Sequence, residues 1–442
     1  MSTLFKDVLI LDGGMENASL GHVFVSDGRI ESVLKKDDPL PQADETIEGN
    51  EKKALLPGFV NGHSHAAMSL LRGLGEELPL MEWLREKIWP IEAKLTPQLI
   101  RAGTELALLE MARTGTTCFA DMYFEMEQVA EAAVAMGMRA GLCRGLMGND
   151  GKRLEEGLAL AEKWHGREGL ITVQLGPHAP YTVPFDHLKK IVALAKGKNL
   201  GLHIHLLETE WELGYFRDEL KMSPDDWLRD SGMLELTRVI LAHGVWMDPE
   251  WAIEVDGKKS VRPASACLKR LDFSNVTIAH NPSSNLKIAS GVFAVDKWLN
   301  ANVAVSLGTD GASANNRLDM WQEIRCAALM QKGVYRDPLL GKASDVLRMA
   351  TYEGALSLGF TNKGMLREGW MADLVLVDLD APHYVGAGEE NLCCFIVYAG
   401  SSEDVEGTMA AGKWIYKNGN YPTSDKAGII KSARAARKKL LQ

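Results

Sequence analysis

Between residues 55 and 307, short apolar runs alternate with longer stretches of helical character, and this alternation constrains the fold more than any other feature. Such alternation is typical of a parallel α/β fold. Eight strand–helix units are what a closed (β/α)8 TIM barrel requires, so we predict that architecture. The predicted strands are Leu55–Val60, Thr116–Ala120, Arg139–Cys143, Ile171–Leu175, Leu202–Leu206, Val239–Ala242, Val276–Ala279 and Val303–Leu307.

The two ends of the chain have a different sequence pattern, in which β-rich runs are separated by turn residues. Asp27-Gly28 stands between two such runs, and Asp-Gly in that position is typical of a β-hairpin. The pattern returns at Asp373–Val377 and Lys413–Tyr416. Because chain termini often lie close together, we predict that both ends form one small β-sandwich domain. The predicted division is 1–56 with 366–420 for this domain, 57–365 for the barrel and 421–442 for a C-terminal helix.

The charge balance and the apolar pattern narrow the class of protein. The chain has 49 Lys and Arg against 59 Asp and Glu, a net charge of −10, which argues against a nucleic-acid partner. The sequence shows no 18-residue apolar stretch and no basic start followed by an apolar core, so we expect neither a membrane span nor a signal peptide. Six cysteines without a CxxC pair suggest reduced thiols. We therefore expect a cytoplasmic protein, assembled as a homo-oligomer.

Ionisable side chains follow all eight predicted strands. In a barrel this is the end at which functional sites are built, because the interior below it is filled with apolar side chains. Six of the eleven histidines lie at these ends, which scattered core histidines would not do. The side chains are, in chain order, His63 and His65, Asp121, Arg144, His178, His205 with Glu208, His243, His280 and Asp310.

The motif His63-Ser64-His65 places two imidazoles on one face of the first strand, because side chains two residues apart point the same way. Alone the motif is weak, since His203 and His205 form a second such pair. Three imidazoles with the Asp310 carboxylate suit one zinc ion, with iron or manganese as alternatives, and leave a position for water. The fourth predicted strand contains no lysine that could bridge two ions, which favours a single metal.

Seven motifs, in this order, resemble those of the amidohydrolase superfamily: LLPGFVNGHSH, TGTT, GPHAPYT, HIHLLET, LAHG, AHNPSSNLK and SLGTDGA. The resemblance extends from about Leu9 to Asn418. Within the superfamily, the motifs most resemble those of the branch of 5-methylthioadenosine/S-adenosylhomocysteine deaminases. Guanine deaminases and triazine chlorohydrolases share much of the pattern, so a hydrolase of another ring is the alternative. A non-catalytic scaffold barrel is a further alternative, which the intact set of candidate ligands disfavours.

The resemblance implies a metal-dependent deaminase of adenosine derivatives, with a small nucleoside as its partner. By motif, the metal ligands of the family fall on His63, His65, His205 and Asp310. The implied reaction adds water at C6 of the purine and releases ammonia, with Asp310 accepting a proton from the water.

Further roles come from the same resemblance. Glu208 is implied to donate a proton to N1 of the purine, and His243 to stabilise the developing charge. Glu92, in the sequence Trp-Pro-Ile-Glu, is implied to bind the ribose hydroxyls, the alternative being a solvated helix carboxylate. Arg144 and His178 are implied to contact the nucleoside.

Two departures from the family pattern affect these expectations. The family's second arginine, which binds the homocysteine carboxylate, is expected a dozen residues beyond Arg144, but Glu156 stands there and only Arg153 is near. The segment Asp256–Ser274 also differs from the pattern and has no functional interpretation. The alternative role for Arg144 is a structural ion pair with one of two carboxylates, Asp121 or Glu92.

Overall fold

The computed structural model describes residues 2–12, 16–247, 252–255, 258–261 and 271–442. In these ranges the strands are, in chain order, β1 (Thr3–Ile10), β2 (Ser19–Ser26), β3 (Arg29–Lys35), β4 (Glu45–Glu48), β5 (Lys53–Pro57), β6 (Phe59–Asn61), β7 (Thr116–Tyr123), β8 (Arg139–Leu146), β9 (Ile171–Pro177), β10 (Gly201–Leu206), β11 (Val239–His243), β12 (Ala252–Val255), β13 (Lys258–Val261), β14 (Val276–His280), β15 (Ala304–Leu307), β16 (Leu374–Asp378), β17 (Val405–Ala410) and β18 (Lys413–Lys417).

The helices alternate with the central strands, and several are extended by a turn of π or 3-10 geometry, for example Leu84–Ile88 and Phe216–Leu220. In chain order they are α1 (Leu80–Trp83), α2 (Trp89–Glu92), α3 (Pro97–Arg113), α4 (Met126–Met136), α5 (Gly151–Trp164), α6 (Phe185–Gly197), α7 (Glu210–Tyr215), α8 (Pro224–Ser231), α9 (Pro282–Lys287), α10 (Val295–Asn300), α11 (Met320–Tyr335), α12 (Ala343–Arg348), α13 (Gly354–Ser357), α14 (Leu392–Tyr398) and α15 (Lys426–Leu440). Within the described ranges, the structure contains no helix that is both long and apolar enough to span a membrane.

Eight parallel strands form the barrel in the order β6-β7-β8-β9-β10-β11-β14-β15. The first and last strands meet where the Gly62 N–H donates to the Leu307 carbonyl at 2.7 Å. Every residue of β7, β9 and β10 is buried, as expected for a parallel sheet that helices cover on the outside. The predicted (β/α)8 barrel is therefore confirmed.

The first predicted strand, Leu55–Val60, is wrong as a single element. The chain leaves one sheet at Pro57 and enters the barrel at Phe59, so β5 and β6 belong to different sheets. Gly58 permits the change, because a Cβ there would lie 2.3 Å from the Thr117 side chain. The predicted domain boundaries stay predictions.

Strands from both chain ends form one mixed sheet, here called the terminal sheet, in the order β18-β17-β16-β5-β1-β2-β3 with β4 also paired to β1. The first half of β1 pairs with β4 and the second half with β5, across an irregularity at Phe5–Val8. The sheet has an apolar cluster of its own, which includes Phe5, Val23, Leu55 and Leu374. The predicted union of the two chain ends is confirmed.

A buried ion cluster joins the base of the barrel to the terminal sheet. Asp373, just before β16, lies 2.9 Å from Arg139 Nε and 3.1 Å from Lys363 Nζ, and Lys363 also donates to Thr117 Oγ1 at 2.6 Å. Burial alone would raise the pKa of Asp373, but the two cations outweigh it and hold the pKa at about 2. The Asp373 carboxylate is therefore charged at neutral pH, as its two buried partners require.

Replacing Asp373 by Ala should destabilise the protein strongly, because it leaves two buried cations without their counter-charge. The expected loss is about 3–5 kcal/mol in the free energy of unfolding. Urea unfolding followed by circular dichroism measures it. Glu235→Ala, which breaks an exposed ion pair with Lys196, is the control and should leave the free energy of unfolding nearly unchanged. Equal losses in the two variants would contradict a structural role for the cluster.

Candidate metal centre and active site

Four side chains meet at the carboxyl ends of the barrel strands: His63 and His65 after β6, His205 on β10, and Asp310 after β15. His65 Nε2 lies 3.3 Å from His205 Nε2 and 3.4 Å from Asp310 Oδ1, and His63 Nε2 lies 3.7 Å from the same Asp310 oxygen. Ligands about 2.1 Å from a tetrahedral ion lie about 3.4 Å apart. The spacing of the four ligand atoms therefore fits one divalent metal ion.

The outer nitrogen of each histidine in this cluster is held by a hydrogen bond. His65 Nδ1 donates to the Met122 carbonyl at 2.5 Å, and His205 Nδ1 donates to the His178 carbonyl at 2.7 Å. His63 Nδ1 lies 2.9 Å from His203 Nε2. Such bonds leave the Nε2 lone pairs directed at the cluster, as metal-binding histidines require.

His63 gives an independent indication of a missing ligand. Its Nε2 is buried and has no hydrogen-bond partner in the described part of the chain. Burial, and then the neighbouring histidines, lower the pKa of both His63 and His205 well below the usual value, so both rings are neutral. Neutral imidazoles with free lone pairs are the form that binds metal.

Asp310 is fixed by its own neighbours. Its Oδ2 accepts the Ser284 hydroxyl at 2.6 Å, and its Oδ1 accepts the Gly311 N–H at 2.7 Å. Ser284 belongs to α9, which follows β14. The last barrel strand thus places the carboxylate, and the preceding strand–helix unit orients it.

Glu208 and His243 lie beside the four candidate ligands and line the same cavity. His243 Nδ1 is 2.8 Å from Asn285 Oδ1 and 3.7 Å from Glu208 Oε1. Burial, and then the charge of Asp310, raise the pKa of Glu208 well above its usual value. Burial at this position thus favours the protonated form of the Glu208 carboxyl group, next to the candidate metal ligands.

The walls of the cavity are largely apolar, and one segment supplies much of them. Residues 80–92, which include α1 and α2, lie over the cavity and contribute two tryptophans. Apolar and aromatic walls with a few polar groups are typical of sites for small organic ligands. The apolar wall residues are Met68, Leu80, Trp83, Leu84, Ile88, Trp89, Met122, Phe124, Met147, Ile288 and Ala314.

Glu92 and His178 both line this cavity, so the structure brings these two predicted residues to the site. Glu92 Oε1 accepts the Tyr123 hydroxyl at 2.6 Å, and burial raises the pKa of Glu92 above its usual value. His178 Nδ1 lies 2.9 Å from Thr182 Oγ1, and burial lowers the pKa of His178 to about 3. A neutral imidazole and a carboxyl group thus stand on the cavity wall.

Arg144, which was expected to contact the nucleoside, is not among the residues that line the cavity. Its Nε lies 2.8 Å from Glu156 Oε2, and its guanidinium covers the Phe124 ring at 5.3 Å. Side chains alternate along a strand, and the next residue, Gly145, is the one that faces the cavity. Arg144 therefore faces outward and forms an ion pair, with a different carboxylate from those considered in the sequence.

Asp121 supports the site through contacts that the sequence does not show. Asp121 accepts the Ala66 N–H at 2.5 Å and the Ser64 hydroxyl at 3.3 Å, so it anchors the turn that carries two candidate ligands. Its position at a strand end was visible in the sequence, but its partners were not. His280, also at a strand end, packs against Phe293 outside the cavity. Most of the segment 256–274 lies outside the described residues.

The barrel and the cluster at its carboxyl edge together have the architecture of an amidohydrolase. Residues 54–415 match the model of the amidohydrolase family, and the chain belongs to that family. It is 42% identical over 394 residues, 88% of each chain, to the 5-methylthioadenosine/S-adenosylhomocysteine deaminase of Dictyoglomus thermophilum. It is 38% identical over the full length of both chains to the protein of that name from Syntrophomonas wolfei.

A solved structure extends the comparison to three dimensions. The chain superimposes on a crystal structure of an adenosine deaminase from Xanthomonas campestris with bound zinc, with a TM-score of 0.90 and 30% identity. The match covers 99% of this chain and 98% of the other.

One divalent ion per chain is expected in purified protein, because four ligand atoms meet around one position. His205→Ala should lose it, since that change removes one ligand of four. Elemental analysis measures the ion, and His383→Ala, on the surface, is the matched control and should keep it. Two ions per chain with activity following the second, or a full ion content in His205→Ala, would contradict a mononuclear centre.

Proposed function

We propose that this protein is a metal-dependent deaminase that hydrolyses adenosine derivatives to the corresponding inosine analogues and ammonia. The observation that carries the proposal is the buried Glu208 carboxyl group beside four metal-type ligands, in a cavity whose walls are largely apolar and aromatic. The names of the relatives that are 38–42% identical support the same chemistry. A purine ring suits the apolar walls.

The metal would be held by His63, His65, His205 and Asp310. Zinc is the ion we propose, and iron and manganese are alternatives that the same donors accept. When bound, such an ion makes water a nucleophile at neutral pH by lowering its pKa from 15.7 to about 7.

The protein's own groups complete the reaction by moving protons. Asp310 accepts a proton from the attacking water as oxygen bonds to C6 of the purine. Glu208 donates its proton to N1. Asp310 then passes the proton that it took from the water to the C6 amino group, and the C6–N bond breaks so that ammonia leaves. The proton of the new C6 hydroxyl goes to Glu208, which leaves the 6-oxo product and restores the acid. His243, held by Asn285, stabilises the charge that develops at C6. Water is consumed and ammonia released, so the atoms balance.

Substrate recognition is proposed to rest on Glu92 and His178. Glu92 has one oxygen bound to Tyr123, and its carboxyl group stands on the cavity wall, where it can accept hydrogen bonds from a ribose diol. His178 is proposed to contact the purine. Arg144 has no part in this proposal, because it faces away from the cavity.

The cell compartment and the assembly belong to the proposal as well. We propose a cytoplasmic protein, which the free thiols of Cys118, Cys143, Cys326, Cys393 and Cys394 support. The homo-oligomer expected from the sequence stays a prediction.

Glu208→Gln should lower turnover by about 10²–10⁴, because the amide has no acidic proton to donate. The metal content should stay unchanged, since Glu208 is not one of the four proposed ligands. Ammonia release from adenosine and elemental analysis measure the two effects. The matched control is Glu210→Gln, an exposed carboxylate two residues further along the chain. Near-normal turnover in Glu208→Gln would remove this residue from the mechanism.

Glu92→Ala should erase a preference for ribose while leaving the metal in place. Charged hydrogen bonds to a hydroxyl contribute about 1.5–3 kcal/mol, so kcat/KM for adenosine should exceed that for 2′-deoxyadenosine by about 10–100-fold. The ratio of kcat/KM for adenosine to that for 2′-deoxyadenosine should approach one in Glu92→Ala. It should stay high in Glu86→Ala, a change at an exposed residue of the same helical segment. The panel should include 5′-methylthioadenosine, S-adenosylhomocysteine, adenine, guanine and a chlorotriazine. Guanine or the chlorotriazine as the best substrate would overturn the deaminase proposal.

A further inference from the structure

The turn that carries Glu208 is built around one buried carboxylate, that of Glu212. Glu212 Oε2 accepts the Leu207 N–H at 2.8 Å, and Glu212 Oε1 accepts the N–H groups of Glu208 at 2.7 Å and Thr209 at 3.3 Å. The residue is only 1% exposed. Three consecutive backbone amides therefore point at a single side chain.

This arrangement exceeds what a helix start requires. In a capping box, the acidic side chain at the third helical position satisfies one N–H, that of the N-cap residue. Thr209 is the N-cap of α7, and its N–H makes the longest of the three bonds. The two shorter bonds go to Leu207 and Glu208, which precede the helix.

The backbone of the turn needs such an anchor. Leu207 has φ of +50°, in the left-handed region that a residue with a Cβ adopts at an energetic cost. The Leu207 carbonyl is also bound, since it accepts the Trp246 N–H at 2.9 Å. This conformation turns the chain so that the Glu208 side chain lies 3.7 Å from His243. Without the anchor, relaxation of Leu207 would redirect Glu208.

We propose that Glu212 is a positioning residue that holds the proton donor Glu208 in the place where proton transfer occurs. The proposal rests on the deaminase function proposed above. Glu212 is not among the residues that line the cavity, so it acts through the backbone of Glu208. The candidate ligand on the preceding strand β10, His205, is held independently by the carbonyl of His178. Loss of Glu212 should therefore spare the metal centre.

Glu212→Ala and Glu212→Gln test this role, with Glu210→Ala on the same helix as the control. Glu212→Ala should lower kcat by about 10–100-fold, the usual effect of removing such a supporting residue. KM for adenosine and the metal content should stay at wild-type values. The kcat of Glu212→Gln should lie between those of wild type and Glu212→Ala, because its amide oxygen can still accept hydrogen bonds while its NH2 group cannot. Glu210→Ala should match wild type.

Hydrogen–deuterium exchange of the peptide that spans Leu207–Thr209 gives a readout that needs no substrate. Exchange should be at least 10-fold faster in Glu212→Ala than in wild type or Glu210→Ala, because three amides lose their acceptor. If Glu212→Ala does not fold, the smaller changes in kcat and in amide exchange that are expected of Glu212→Gln test the positioning role. Unchanged kcat, unchanged exchange, or loss of metal in these variants would overturn the positioning role. A wild-type protein that deaminates no nucleoside would instead refute the proposed function, while the exchange result would still report on the turn.

Discussion

The hydrogen bonds on the outer nitrogens of His63, His65 and His205 are the constraint on which the site depends. The ring centroids of these three imidazoles lie 4.8–5.4 Å apart. The rings could turn in many ways, and only one orientation of each directs Nε2 into the cluster. The partners that fix this orientation are a carbonyl of β7, a carbonyl just beyond β9, and a histidine on β10. The centre is therefore as rigid as the barrel, because neighbouring strands supply both the ligands and their supports.

The sequence predicted the barrel and the residues at its carboxyl edge because both follow from local patterns. A strand end is visible in the order of residues, and eight of them converge whenever the barrel closes. Glu92 was placed by resemblance alone, and the structure brings it to the cavity through a helix over the barrel. The role expected for Arg144 depended on the side of the strand to which its side chain points. Arg144 and Gly145 are neighbours, and a shift of one residue decides which of them faces the cavity.

Other features were hidden from the sequence because they depend on contacts between distant segments. The predicted strand Leu55–Val60 is split at Gly58, where Thr117 of β7 packs so closely that a side chain would not fit. Thr117 is distant in the sequence, so this contact could not be predicted. The segment 281–285 was expected to support the site rather than bind metal. Which side chain each of Asp121, Ser284 and Asn285 holds comes only from the folded chain. Left-handed backbone at Leu207, His243 and Asp310 marks the same region.

The ion cluster at the base of the barrel bears on how modular this protein is. Arg139 and Lys363 belong to the barrel side of the cluster, whereas their counter-charge Asp373 stands at the edge of the terminal sheet. A barrel excised as residues 57–365 would retain both buried cations, Arg139 and Lys363, and lose the Asp373 carboxylate that neutralises them. This fragment would also begin only two residues before β6, whose far end leads directly to the first histidines of the site. The barrel is therefore not an independent module, and a minimal catalytic fragment of this chain must keep both chain ends.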